Sequence, residues 1–249
     1  MESQPTTLSV WAGWKDAGLT NHGMNQANAL GKWFSENGTT FNIVISSTLL
    51  RADATAQAIY DRHPLPKPLF VKNPLIREQH FGIAEGYPYS GKNAAGLSAE
   101  ECYAQKIFPH PRQRDASFPG GESREDLARR AERAVNDILL PYAPQAVNED
   151  VRIAIVSHGL FIREMVDAVM KLDHTDPNVL QDYRGLRNTG WTRITLKVEP
   201  DGTFRVRLTD LNRHEHLDSV TRQQGGIGRA AYDPTQKDIR SFFGGSRKS

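Results

Sequence analysis

Val151-Arg152-Ile153-Ala154-Ile155-Val156-Ser157-His158-Gly159 is the stretch whose reading decides the fold of this chain. Residues 151 to 157 form a short run of β-branched and apolar residues, too short for a core helix, and read as a buried strand. Leu160 to Leu172 follow with Phe161, Ile162, Met165, Val166 and Val169 at helical spacing, so a helix is predicted there. The turn between them places His158 at the carboxyl end of a strand and Gly159 at the opening of a helix. In open α/β sheets that edge is where ligands bind, and the free N–H groups of a helix start favour an anion.

Outward from this unit the same alternation recurs. Residues 20 to 37 start at Thr20, a good cap, and repeat Met24, Ala27, Leu30 and Trp33 on one helical face. Residues 41 to 46 read as a buried strand, Thr48 to Tyr60 as a helix, and Leu69 to Lys72 as a strand beyond the Pro64, Pro66 and Pro68 cluster. An irregular stretch covers about 87 to 120. A long helix is predicted over Ser123 to Leu140, and strands over 191 to 198 and 204 to 211. Strands alternating with helices imply a mostly parallel sheet covered on both faces. From Asp218 onward apolar periodicity vanishes, which predicts a flexible tail over 218–249 behind one domain over 1–217.

The composition, 38% apolar and 24% charged, is that of an ordinary globular protein. A lone Cys102 allows no internal disulfide and reads as an inert small residue, so a reducing compartment is expected. No apolar run approaches a membrane span, and residues 1 to 20 lack the pattern of a signal peptide. The net charge of +2 is unevenly placed: residues 218 to 249 carry six Lys/Arg against three Asp. Only the tail is basic, and no direct contact with nucleic acid is expected.

Five ordered blocks carry a family resemblance. Leu19-Thr20-Asn21-His22-Gly23-Met24-Asn25-Gln26-Ala27 and Ser46-Ser47-Thr48-Leu49-Leu50-Arg51-Ala52 with Thr55-Ala56 resemble the LTxxGxxQA and SxxxRAxxTA blocks of the histidine phosphatase superfamily, the phosphoglycerate mutase-like fold. Ile76 to Gly82 with Glu85-Gly86 looks like the segment bearing the family's acid. Gly120-Gly121-Glu122-Ser123, opening a helix with Arg130 and Arg133, is similar to its GGES element, and Ser157-His158-Gly159 to its second-histidine block. Each block alone is a weak motif; their order makes them specific. The resemblance spans residues 2 to 217 and implies a three-layer α/β/α sheet and phosphoryl transfer on a small phosphorylated metabolite through phosphohistidine, as phosphatase or mutase.

The chemistry can be argued beside the resemblance. Splitting a phosphate monoester without metal or organic cofactor needs a nucleophile, fixed positive donors on the non-bridging oxygens, and an acid for the leaving alkoxide. Arg51, just past an apolar strand, offers a planar fork that matches phosphate oxygens in pairs, and His158 a second donor. Glu78 could act as the acid if burial raises its pKa. The Glu122 N–H and Ser123 at a helix start, with Gly159, could bind a substrate oxygen. Arg112 and Arg114 lie in the irregular stretch that covers the site in relatives. Taken singly, each of these residues also reads as surface arginine, loop carboxylate or core histidine; taken together and in family order, the phosphate site is the better reading. His22 is read as solvated, His63, His80, His110, His174, His214 and His216 as structural, and Trp11 and Trp14 as packing residues or the rim of the pocket.

One expected block is missing. The family's nucleophile is the histidine of an apolar strand ending Arg-His-Gly, upstream of the LTxxG block, yet Met1 to Gly18 contain no histidine. Glu2-Ser3 resemble the two residues that follow that motif. Neither Arg62-His63 nor Arg213-His214 replaces it without breaking the topology. The expectation is an amino-terminally truncated sequence, inactive as written, with a genuinely inactive relative as the alternative.

The tail carries a second motif. Gln236-Lys237-Asp238-Ile239-Arg240-Ser241-Phe242-Phe243 resembles the peptide by which replication and repair proteins bind the sliding clamp PCNA. In such a peptide one helical turn gathers Ile239, Phe242 and Phe243 into an apolar plug, while Gln236 hydrogen-bonds beside it. The alternative function is therefore a non-catalytic adaptor, and the expected location is cytoplasmic, or nuclear if the clamp is the partner. Substrate and oligomeric state stay open at this level.

Overall fold

A computed structural model describes residues 10–89, 96–175, 186–223 and 227–235. Its elements in chain order are α1 (Asn21–Glu36), β1 (Ile43–Ser47), α2 (Leu50–Arg62), β2 (Leu69–Asn73), α3 (Ala99–Ala104), α4 (Arg124–Ala134), α5 (Ala143–Ala146), β3 (Ile153–Val156), α6 (Gly159–Met170), β4 (Trp191–Val198) and β5 (Phe204–Arg213). The strands β2, β1 and β3 form a parallel sheet in that order, with Ile43 opposite Leu69 on one side and Ile153 on the other.

β1 is the centre of this sheet and all five of its residues are buried. The alternation of a strand sends Ile43 and Ile45 into a core shared with Leu127 and Ala131 of α4 and Phe161, Met165 and Val169 of α6. On the other face Val156 of β3 meets Leu30 and Phe34 of α1 and Ile59 of α2. Two helical layers thus sandwich the sheet. Burying side chains such as Phe161 and Leu127 contributes about 1.5–3 kcal/mol each, which is what holds the layers together. Gly31 lets α1 lie close to α2, because a Cβ there would fall 2.2 Å from the Ala58 carbonyl oxygen.

β3 has a different environment from β1. Among the described residues it pairs only with β1, and its four apolar residues are all half-buried. β4 and β5 make a separate antiparallel hairpin rather than extending the parallel sheet. Its inward residues Ile194, Val206 and Leu208 pack on Val166 and Met170 of α6, while Arg193, Lys197, Arg205 and Arg207 face out.

Three other expectations are adjusted. The helix predicted to run to Leu140 stays α-helical only to Ala134, then widens through Val135–Leu139 into a tighter turn. Pro141 explains the break, since it has no N–H to give the Asp137 carbonyl. The irregular stretch holds the short helix α3, opened by a Ser98–Glu101 capping box, and its Phe108 and Phe118 join Trp11 and Phe81 in a small aromatic core. Third, the chain does not simply leave the domain after Asp218. The Asn21 N–H donates to the Ala230 carbonyl and the Tyr232 N–H to that of Leu19, so residues 230–232 dock at the start of α1. His22 is not fully solvated there: its Nδ1 is buried without a described partner.

Candidate functional site

The carboxyl ends of β1 and β3 meet at one rim. Ser157, just past β3, donates to the Ile76 carbonyl at 2.7 Å, which ties the β3 turn to the segment that carries Glu78. The next residue, His158, is 7% exposed, and its Nε2 lies 2.9 Å from Oγ of Ser47 at the end of β1. Burial lowers the His158 pKa to about 3, and the nearby Arg51 and Arg130 charges add to the effect. The ring is therefore neutral at pH 7 and becomes a favourable cation only if an anion is brought beside it.

Arg51 lies in the first turn of α2 and points to the same rim. Its guanidinium donates to the Gly13 carbonyl at 2.8 Å and to the Lys15 carbonyl at 3.4 Å. Burial lowers its pKa while Glu78, Asp16 and Glu85 oppose that, and the group stays a cation. Its hydrogen-bond partners are neutral carbonyls and, among the described residues, no carboxylate is paired directly with it, so it can still take an anion.

Glu78 completes the group. Its carboxylate accepts the N–H of Gln79 at 2.9 Å, of Phe161 at 3.2 Å and of Leu160 at 3.4 Å, which seats it at the amino end of α6. No side chain caps this helix at His158, and Glu78 takes the place of a cap. Burial pushes the Glu78 pKa up, and the three N–H donors and Arg51 only partly offset it. A carboxyl group held above its ordinary range beside Arg51 and a neutral histidine is suited to proton donation.

The frame around these three is built by Arg130. Its guanidinium donates to the carbonyls of Leu75, Arg77 and Glu78 and to both oxygens of Glu122, and stacks on Phe161. The Glu122 N–H in turn donates to the His80 carbonyl. Gly82, at φ +53°, and Gly121 allow this meeting, since a Cβ on Gly82 would fall 2.2 Å from the Pro119 oxygen.

The structure therefore gathers Arg51, Glu78, His158 and Gly159, and places the other candidates elsewhere. Glu122 has its N–H on His80 and its carboxylate on Arg130, so it is a bracket rather than a free donor. Ser123 is 3% exposed and is engaged with Asp126 in the capping box of α4. Arg114 binds Glu164 of α6, which Arg124 also holds, so it ties its loop to α6. Arg112 is exposed on that loop. The clamp-like residues Gln236, Ile239, Phe242 and Phe243 lie outside the described residues.

Trp14 stands at the rim, one of the two places its sequence setting allowed, whereas the contacts of Ser47 with His158 and of the Gly13 carbonyl with Arg51 were not read from the sequence. The Trp14 indole N–H donates to the Glu78 carbonyl at 2.7 Å, and the Leu50 N–H to Asp16 at 2.7 Å, so residues 11–16 wrap the rim. Two tryptophans flanking Ala-Gly just ahead of the LTxxG block were the available signal. Among the described residues no group of three His, Cys, Asp or Glu is placed to hold a metal.

Comparison with known proteins bears on the family and the fold. The model of the histidine phosphatase superfamily (branch 1) matches residues 2–210. The 2,3-bisphosphoglycerate-dependent phosphoglycerate mutase of Methylocella silvestris is 28% identical over 206 residues, covering 81% of this chain and 90% of its own length. The enzyme of that name from a Bradyrhizobium strain is 27% identical over 179 residues, covering 69% and 78%. Among solved structures, a mycobacterial glucosyl-3-phosphoglycerate phosphatase is 25% identical with a TM-score of 0.59, covering 82% of this chain and 91% of that one. A phosphoserine phosphatase of Entamoeba histolytica with 3-phosphoglyceric acid is 25% identical with a TM-score of 0.54, covering 83% and 89%.

Proposed function

The chain belongs to the histidine phosphatase superfamily (branch 1), and from that premise we propose that its site is built for transfer of a phosphoryl group from a small phosphorylated metabolite through a phosphohistidine. The observation that carries the reading is the meeting of Arg51, His158 and Glu78 at one sheet rim. Arg51 and His158 bind the non-bridging oxygens; the dianion restores to His158 the proton affinity that burial removed. Glu78 protonates the leaving alkoxide. The N–H of Gly159 adds a donor at the helix start. Phosphatase and mutase outcomes differ in whether water or a second hydroxyl takes the phosphoryl group from the nucleophile.

The nucleophile of this reading is a histidine at the end of a strand lying against the open edge of β3. That edge supports it, because among the described residues the four apolar residues of β3 have a ladder partner on one side only. No histidine precedes His22 in the 249 residues, so the chain as written is proposed to be inactive. Hydrolysis of para-nitrophenyl phosphate is the test, for this chain and for one extended by an apolar strand ending Arg-His-Gly. Turnover is expected only in the extended chain, and is expected to fall by a factor of about a hundred or more in its Arg51→Gln form. Equal turnover with and without the strand would refute the reading.

A second reading rests on the motif Gln236 to Phe243, which makes the tail a ligand for the PCNA clamp. Calorimetry with a peptide of residues 232–249 should show micromolar binding; no heat at about 100 μM would remove it.

A further inference from the structure

Arg77 has the most distinctive setting of the cations that the mechanism above does not use. Its guanidinium lies over the Trp14 indole, 5.1 Å from the ring centroid, and its Nε donates to Oγ1 of Thr48 at 2.5 Å. Its backbone is equally fixed, with its carbonyl on Arg130 and its N–H on the Pro74 carbonyl. Trp14 is itself pinned by its N–H to the Glu78 carbonyl, so the plate under the guanidinium cannot slide. The two terminal amino groups of Arg77 have no partner among the described residues, and neither is sealed from solvent.

This differs from its neighbours. Arg114, Arg124 and Arg130 each hold a buried or half-buried carboxylate, and Arg51 holds two carbonyls. Arg77 alone in this group is immobilised, half-buried and left with two free donors. Fixing a long cation against an aromatic plate costs side-chain freedom and hydration, and an anion at the free edge of the fork offsets both. The location is also specific. Thr48 directly follows Ser47, the partner of His158, and Arg51 is one helical turn further on.

The geometry points to Arg77 as a specificity residue that takes a second anionic group of the substrate, a carboxylate or a further phosphate, a few bonds from the phosphoryl group held by Arg51 and His158. The inference rests on the phosphate-site reading and names its substrate class: compact esters with two anionic groups, rather than sugars or alcohols bearing a single phosphate. A planar fork with two free N–H edges suits carboxylate and phosphate alike.

Binding needs no nucleophile, so the 249-residue chain serves as it stands. Calorimetric titrations use phenyl phosphate, with one anionic group, phosphoglycolate, with a phosphate and a carboxylate, and ethylene glycol bisphosphate. Each is run against the unmodified chain and its Arg77→Gln, Arg77→Lys and Arg51→Gln forms, with urea midpoints to show that each variant folds. Arg77→Gln is expected to weaken the two doubly anionic probes at least about tenfold more than phenyl phosphate, with Arg77→Lys recovering part of the loss. Whichever doubly anionic probe loses more identifies the anion. Equal weakening of all three probes, or none, by Arg77→Gln overturns this proposal alone, provided that Arg51→Gln still abolishes binding. Failure of the unmodified chain to bind any probe, or indifference of binding to Arg51→Gln, overturns the phosphate site and this inference with it.

Discussion

Acid should destabilise this fold through His158 more than through any surface histidine, and the size of the effect can be worked from its surroundings. The folded chain refuses a proton at this ring until about pH 3, whereas an unfolded chain accepts it near 6.5. The sign follows: with the folded pKa depressed, the contribution is fully present above the unfolded value and is lost as pH falls through 6.5 toward 3. Between about pH 7.5 and about pH 5 the loss is about 2 kcal/mol, and over the whole interval about 5 kcal/mol. Because the ring is 7% exposed, solvent screening removes little of this. The measurement is urea unfolding at the two pH values for the unmodified chain and for His158→Gln, which keeps a polar atom for Ser47 but does not titrate. Glu78 works with the opposite sign, since its raised pKa favours the folded state in acid, but it is common to both chains. His158→Gln should lose about 2 kcal/mol less than the unmodified chain between the two pH values. An identical pH dependence in both would refute the placement of a buried, neutral imidazole between Arg51 and Arg130.

Three further outcomes test the frame around the site. Arg130→Met removes donors from three carbonyls and leaves Glu122 without its cation, and should lower the urea-derived stability by about 3–5 kcal/mol. Glu164→Ala releases Arg114 and Arg124 together, and should cost about 3 kcal/mol and speed amide exchange over residues 110–116, read by mass spectrometry. Removing residues 224–249 takes away the two backbone bonds at Leu19 and Asn21, and should cost about 1–3 kcal/mol of stability with a faster-exchanging start of α1.

Much of the scaffold was legible because its signals are local. The period-2 and period-3.6 patterns around β1, α2, β3 and α6 place each element within a few residues, and Thr20 marks the start of α1 with its own hydroxyl. Arg51, Glu78 and His158 were readable since each lies within a few residues of the end of a strand or a tight turn, at the opening of the next element or in the loop beside it. Glu122 and Ser123 read as ligand residues from their block, and Arg114 from its place in the irregular stretch, yet all three are engaged with other side chains around the site. Their partners Arg130, Asp126 and Glu164 are chosen by packing that no spacing rule encodes. The docking of residues 230–232 was hidden for the same reason, being a backbone pairing across two hundred positions.

The sequence by itself determined the order of strands and helices, the chemistry available at the sheet rim, and the absence of any histidine before His22. Only the tertiary structure decided which charges are free. Arg130 is spent on carbonyls and Glu122, Arg114 on Glu164, while Arg51 keeps its charge among neutral partners and Arg77 keeps two donors above Trp14. Residue type and spacing specify what a side chain can bind. Whether it is already bound depends on groups brought from distant parts of the chain into a space with little water, where each polar atom must find a partner or pay for its burial.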